Sequence, residues 1–137
     1  MKSGYSGTPL EKKLGLKNSF NCWLLNAPSF YLTWFENLKI NLIRDSKNEE
    51  SSKDFIHLFC MSQEELENSF THAKKALKKD GMLWVSWPKG SCAIKTDLKR
   101  EPIRNYILMH GLVDIKVASI NDDWSGLKFV YRLKDRQ

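Results

Sequence analysis

Two strand-like runs, the second of them almost wholly apolar, are separated by one amphipathic helix, and this pattern constrains the fold of the chain most. The runs are DFIHLFC at residues 54–60 and MLWVSW at residues 82–87. Between them, Ser62-Gln63-Glu64-Glu65 is a capping-box pattern that predicts a helix to about Lys79, ended by Asp80-Gly81. A run that is apolar on both faces is typical of a strand buried in a parallel sheet. The pattern therefore predicts a parallel strand–helix–strand unit, with 82–87 central in the sheet.

The rest of the chain continues the alternation of helices and strands. Further helices are predicted at 9–14, 29–38 and 101–109, and further strands at 21–25, 40–43, 112–120 and 127–133. In the strand at 112–120, Val113, Ile115 and Val117 are expected on one face, with Asp114 and Lys116 on the other. The short connection through Asn121-Asp122-Asp123 makes the last two strands antiparallel.

This order predicts an α/β fold in a single domain over residues 1–137. The expected architecture is a Rossmann-like three-layer sandwich, whose sheet is mostly parallel with an antiparallel C-terminal strand. No linker long enough to divide the chain is present, and the polar segment 45–53 is expected to be a surface loop.

Composition narrows the protein class. The chain has 137 residues, a net charge of +6 and three cysteines without CxxC spacing. An odd cysteine count without that spacing argues against a disulfide framework or a zinc site. The N-terminus has no apolar run and no segment approaches membrane-spanning length, so a cytoplasmic protein is expected.

The opening stretch GYSGTPLEKKLGL, residues 4–16, suggests two uses. Gly4 and Gly7 could bring a loop close to a phosphate, but the spacing is not that of a P-loop. The capping pattern is a simpler use: Thr8 caps, Pro9 takes the first helical position and Gly15 ends the helix. We expect the structural use.

The carboxyl ends of the predicted parallel strands form the candidate site. Ligands of open α/β sheets bind at this edge, and the strand ends here place Asn26, Ser62, Trp87, Lys89 and Ser91 there. These residues offer an amide, hydroxyls, an indole and one ammonium for an anionic ligand. Lys89 follows a buried strand and is the main candidate, although a solvated loop lysine has the same signature.

No familiar catalytic or metal-binding pattern is present. GxSxG and HExxH are absent. His57 and Cys60 are three apart in a strand, so they diverge. Arg104 and Asp114 are placed for an ion pair. Lysines 74, 75, 78 and 79 are expected to be solvated near the end of their helix.

Several stretches resemble a family of small bacterial proteins that is catalogued only as a domain of unknown function. They are GYSGTPLEKKLGL, DFIHLF, LWVSWPK, TDL, GLVDIKV and WSGLKF, and they span nearly the whole chain. The resemblance implies no established activity and transfers no catalytic residue.

The segment from Asp54 onward is similar, more loosely, to the later half of class I methyltransferases. Those enzymes bind S-adenosylmethionine through a glycine-rich loop after their first strand and an acid after their second. Here the first strand ends in NAPSF, and Asp45 is the candidate acid. The similarity implies a truncated, Rossmann-like relative in which the cofactor loop is missing.

Three functional hypotheses follow. The leading one is a non-catalytic binding or regulatory protein that holds an anionic small molecule or a protein partner at the carboxyl edge. A methyltransferase-like enzyme is the second. The third is nucleic-acid binding through the lysines, for which no recognition motif accompanies the charge.

Overall fold

Helices and strands alternate as the sequence predicts. The computed structural model describes residues 8–47, 49–90, 96 and 98–136. Its elements are α1 (Leu10–Leu14), β1 (Asn21–Leu25), α2 (Ser29–Glu36), β2 (Ile43–Arg44), β3 (Lys53–Phe59), α3 (Gln63–Ala76), β4 (Leu77–Pro88), α4 (Arg100–Met109), β5 (Leu112–Ser119), β6 (Trp124–Tyr131) and a 3-10 helix (Leu133–Asp135). Gly4, Gly7, Ser91, Cys92 and Asp97 lie outside the described residues.

A single six-stranded sheet has the order β2-β1-β3-β4-β6-β5. The β1–β2, β1–β3 and β3–β4 pairs are parallel, whereas β6 is antiparallel to both β4 and β5. The expected Rossmann-like fold, mostly parallel with an antiparallel C-terminal strand, is confirmed. β4 lies in the interior of the sheet, as its apolar sequence indicated.

Helices cover both faces of the sheet and bury two apolar clusters. One cluster packs against α1 and α2 and includes Leu14, Tyr31 and Trp84. The other packs against α3 and α4 and includes Phe70 and Ile107. In the described part of the chain, no helix has the length and apolar character needed to cross a bilayer.

The junction between α3 and β4 differs from the prediction. Helix α3 ends at Ala76, β4 starts at Leu77, and Asp80-Gly81 lies inside the strand instead of ending the helix. The pairing moves from Lys53↔Leu77 to Phe55↔Met82, so β4 contains three extra residues at an irregularity. Asp80-Gly81 therefore lies in an irregular part of β4 rather than in a turn that ends α3.

The second strand is shorter than predicted. β2 contains only Ile43 and Arg44, which pair with Asn21 and Cys22 at the start of β1. β2 ends near the amino edge of the sheet, which is also where β3 starts. Residues 45–52 can therefore connect the two strands, and their described residues form no helix.

The predicted cap at Thr8 is wrong, because Pro9 holds the N-cap position of α1. In α2, Pro28 holds that position and Ser29 is the first helical residue, as the predicted range 29–38 requires. The prediction for Ser62 is confirmed, because its side chain accepts a hydrogen bond from the Glu65 N–H at 3.1 Å.

A bulge in β5 overturns its predicted face pattern. Asp114 pairs with Phe129 and Lys116 with Lys128, so Ile115 is an extra residue. Asp114 and Lys116 therefore lie on opposite faces. The Arg104–Asp114 ion pair is confirmed, with 3.0 Å between Nε and Oδ1.

The close approach at Gly81 gives a stability prediction. A Cβ there would lie 2.9 Å from the Lys53 carbonyl oxygen, whereas a Cβ at Gly90 would meet nothing within 4 Å. We expect Gly81→Ala to lower the free energy of unfolding by about 1–3 kcal/mol. The matched variant Gly90→Ala should stay within about 0.5 kcal/mol of the unsubstituted protein. Urea unfolding followed by tryptophan fluorescence measures both, and equal effects would contradict the assigned register.

Candidate functional site

The strand order of the sheet reverses between β1 and β3. β2 lies on one side of β1 and β3 on the other, so the connections leaving these strands diverge at their carboxyl ends. In an open α/β sheet this switch point forms a crevice, and ligands of such folds bind there. The candidate site is built from the segments that follow β1 and β3.

A cavity of about 220 Å³ opens at this switch point. Its lining combines one amide, one carboxylate, two aromatic rings and two further apolar side chains, from Asn26, Pro28, Phe59, Met61, Glu65 and Trp124. The wall is therefore mainly apolar, with two polar groups that could orient a ligand.

Local backbone conformation and a helix cap position the two polar side chains of the cavity, Asn26 and Glu65. Asn26 has φ +57°, a left-handed conformation that asparagine tolerates better than most residues, and it turns the chain from β1 toward α2. On the other side, Ser62 caps α3 while Glu65 Oε1 accepts the Met61 N–H at 2.7 Å. This reciprocal cap holds the Glu65 carboxylate in the wall of the cavity.

A buried chain of hydrogen bonds lies under the cavity. His57 Nδ1 is 2.7 Å from the Tyr31 hydroxyl, and His57 Nε2 is 2.7 Å from Ser86 Oγ. The Phe59 ring stacks on His57 at 4.1 Å and meets the Trp124 ring edge-on at 5.3 Å. The two aromatic walls of the cavity therefore rest on this chain.

Burial sets the protonation states of His57 and Tyr31 in this hydrogen-bond chain. His57 is fully buried, which lowers its pKa well below the ordinary 6.5 and keeps the imidazole neutral. Burial, followed by the nearby Cys22, raises the pKa of Tyr31 well above 10. A neutral imidazole donates from one nitrogen and accepts at the other, which matches its two hydroxyl partners.

The Lys89 ammonium forms hydrogen bonds beside the cavity, at the same edge of the sheet. Lys89 Nζ donates to Ser119 Oγ at 2.8 Å, and the Lys89 N–H donates to the Asp123 carbonyl at 2.8 Å. Ser119 Oγ in turn donates to the Asn121 carbonyl at 2.9 Å. Lys89 thus braces the ends of β4 and β5, and it does not line the switch-point cavity.

The structure separates the predicted site residues into groups. Asn26 lines the cavity and Ser62 holds its wall through the cap. Trp87 is only 7% exposed and packs in the cluster under α3 and α4. Lys89 bonds to Ser119. Ser91 lies outside the described residues.

Sequence reasoning missed four of the residues that line the cavity. Phe59 and Met61 lie at the end of a predicted strand, and Trp124 lies in the turn before the last strand, where it is only 6% exposed. Glu65 was identified as a capping residue. Its position directly after a predicted parallel strand is the signal that could have placed it in the site.

The two described cysteines are not candidate nucleophiles. Burial and then the charge of Asp54 raise the pKa of Cys22 to about 12. Burial and then Glu65 raise the pKa of Cys60 to about 12. Since the thiolate is the reactive form, both thiols are chemically quiet at neutral pH.

Solved structures of methyltransferases share this fold. The sequence itself matches no family model and no curated protein. A SAM-dependent methyltransferase from Aquifex aeolicus aligns with a TM-score of 0.59 at 14% identity, over 88% of this chain and 86% of that one. A putative type 11 methyltransferase from Sulfolobus solfataricus aligns with a TM-score of 0.59 at 14% identity, over 92% and 91%.

A third neighbour extends the likeness to a structure with bound ligands. It is the 1,6-didemethyltoxoflavin-N1-methyltransferase of Burkholderia thailandensis, whose structure holds 1,6-didemethyltoxoflavin and S-adenosylhomocysteine. The TM-score is 0.57 at 7% identity, over 89% of this chain and 74% of that one. Likeness at these identities is a likeness of fold.

The residues present do not fit an S-adenosylmethionine site of the kind the sequence resemblance implies. Asn26-Ala27-Pro28 takes the place of a glycine-rich loop. Asp45 follows β2, but its N–H bonds to the Cys22 carbonyl, which puts it well short of the end of β1. Its carboxylate accepts the Lys47 N–H at 2.9 Å and Lys53 Nζ at 3.4 Å. Asp45 is thus engaged away from the switch point.

The buried imidazole gives a pH prediction. In the unfolded chain His57 takes a proton near pH 6.5, whereas in the folded state it resists protonation. Stability is therefore lost as the pH falls below about 6.5, by up to about 1.4 kcal/mol per pH unit. We expect His57→Gln to flatten the dependence of unfolding free energy on pH between about 6.5 and 5.

The exposed His72 on α3 supplies the matched control for this prediction. Urea unfolding at a series of pH values should show the unaltered slope in His72→Gln. Identical slopes in both variants and in the unsubstituted protein would contradict a neutral buried His57.

Proposed function

We propose that this chain is a methyltransferase-like protein that binds a small molecule in the switch-point cavity. The observation that carries the proposal is the position of that cavity. It lies between the carboxyl ends of β1 and β3, where the strand order reverses. Folds of this kind place their ligands at such a crevice. The likeness to methyltransferase structures supports the same location by fold.

The lining favours a ligand that is neutral or cationic. Phe59 and Trp124 offer aromatic surface, and Glu65 is the charged side chain in the wall. Cations are attracted both to aromatic faces and to a carboxylate, whereas an anion would be repelled by Glu65. The anionic ligand expected from Lys89 has less support, because that ammonium bonds to Ser119.

Methyl transfer from S-adenosylmethionine is the second candidate function. The chain spans most of two small methyltransferases, 86% of one and 91% of the other, which favours a methyltransferase-like enzyme. The loop at Asn26 and the engaged Asp45 oppose it. No catalytic residue is assigned, and binding of the cofactor is the test that separates the two candidates.

A ligand panel tests the proposal. Thermal unfolding is measured with S-adenosylmethionine, S-adenosylhomocysteine, aromatic amines and matched aromatic carboxylates. A ligand at ~100 times its dissociation constant adds about 2.7 kcal/mol, which raises Tm by several degrees. We expect neutral or cationic aromatic compounds to raise Tm and the carboxylates to leave it unchanged. A panel without any binding up to roughly 10 mM would sink the proposal.

One side-chain exchange localises such binding. Glu65→Gln keeps an oxygen that accepts the Met61 N–H and removes the charge. We expect it to weaken cationic ligands by about 10-fold and to leave neutral ones unchanged. Glu64→Gln is the control, because Glu64 occupies the same first turn of α3 and is exposed. Equal effects of the two variants would place the ligand elsewhere.

A further inference from the structure

A second cavity lies at the opposite edge of the sheet and has a different chemistry. Its volume is about 370 Å³, and it opens where α3 ends, β4 begins and β6 ends. Its lining is rich in cations and hydroxyl groups and includes Thr71, Lys74, Lys75, Lys79, His110 and Tyr131. A cavity of this size suits a compact ligand.

Three lysines line this cavity, and two of their ammonium groups lie over one aromatic ring. Lys79 Nζ lies 4.4 Å from the centroid of the Tyr131 ring, and Lys74 Nζ lies 5.9 Å from the same centroid. Both side chains are thus gathered over one aromatic ring. Lys75 lines the same cavity from the last turn of α3.

Lys74 is held in position by its backbone neighbours. Its Nζ donates to the His110 carbonyl at 2.7 Å. The next residue, Gly111, has φ +101°, and a Cβ there would lie 2.9 Å from Lys74 Nζ. A glycine at 111 therefore allows both the turn and the close approach of the ammonium. An ammonium has three donors, so two remain after this bond.

The lining of the cavity carries a net positive charge, because it holds three lysines and one carboxylate, that of Glu50. Within the described ranges, the ion pairs shorter than 4 Å involve none of the three lysines. Lys78, from the same run of sequence, differs because it pairs with Asp54 at 3.0 Å. Glu50 lines the cavity, but no ion pair within 4.0 Å joins it to a lysine of the described ranges.

The solvated-helix explanation expected from the sequence covers only part of this arrangement. Lys74 and Lys75 lie in the last turn of α3, where cations suit the helix dipole. Lys79 lies in β4, beyond the helix, and its ammonium is over Tyr131. Like charges brought together without a counter-ion are stabilised by a bound anion.

We propose that this cavity binds the phosphate group of a small phosphorylated molecule, with Lys74, Lys75 and Lys79 as its cationic partners. Lysine is a common phosphate-binding residue, and the Thr71 and Ser51 hydroxyls in the lining can donate further hydrogen bonds. Phosphate binding here does not depend on the switch-point cavity, which lies at the other edge of the sheet.

Inorganic pyrophosphate is the probe. Calorimetric titration of the full chain at low ionic strength should show saturable binding, and sulfate should bind more weakly. We expect Lys79→Gln and Lys74→Gln each to weaken pyrophosphate binding by about 10-fold. Lys39→Gln is the control, because Lys39 is exposed and outside this cavity, and the substitution removes the same charge. Urea unfolding confirms that each variant is folded.

Three outcomes would overturn the proposal. One is the absence of pyrophosphate binding up to roughly 10 mM. Another is an equal loss in Lys39→Gln, which would mean that net charge alone attracts the anion. The third is binding of a single-stranded oligonucleotide that depends on Lys74 and Lys79, falls steeply with salt and displaces pyrophosphate. That result would assign the lysines to a nucleic-acid backbone.

Discussion

The hydrogen-bond chain from Tyr31 through His57 to Ser86 is the interaction on which the centre of the structure depends. All three residues are fully buried, and each lies on a different element, α2, β3 and β4. A buried polar group that loses its partner costs about 1–3 kcal/mol, so no one of these elements can shift alone. The chain fixes the position of α2 over the sheet and supports Phe59 and Trp124 above it.

The two edges of the sheet differ in chemistry. At the carboxyl edge, the cavity is apolar and carries Glu65. At the amino edge, the cavity is basic and carries Lys74 and Lys79. The fold is that of methyltransferase structures, but Asn26 and Asp45 do not provide the loop and acid that the sequence resemblance implies for S-adenosylmethionine. The structure therefore supports a place for a ligand more strongly than it supports a reaction.

Local patterns predicted the elements, while nonlocal pairing decided their ends. The Ser62 cap depends only on neighbouring residues, so the local pattern predicts it. The strand at 54–60 and the hairpin at 121–123 are likewise predicted by local patterns. The starts of β4 and β2 were misplaced because the register with β3 and β1 decides them. The face pattern of β5 failed at Ile115, since a bulge is a property of the strand pair rather than of one strand.

The candidate site was predictable in its location and less so in its residues. The carboxyl edge followed from the parallel sheet, and Asn26 lies there as expected. Lys89 instead links the ends of two strands, because its ammonium donates a hydrogen bond to Ser119, thirty residues later in the sequence. Trp124 reaches the cavity from the hairpin, which no local pattern indicates. Long-range contacts thus decide which side chains face a ligand.

The most direct test of the account is to map ligand contacts by NMR. Amide and indole resonances are assigned, and a compound that raises Tm is titrated into the labelled protein. We expect the chemical-shift changes to centre on Asn26, Met61 and the Trp124 indole, around the switch-point cavity. Changes centred on Lys89 and Ser119, or spread without a focus, would contradict the central claim that this cavity is the binding site.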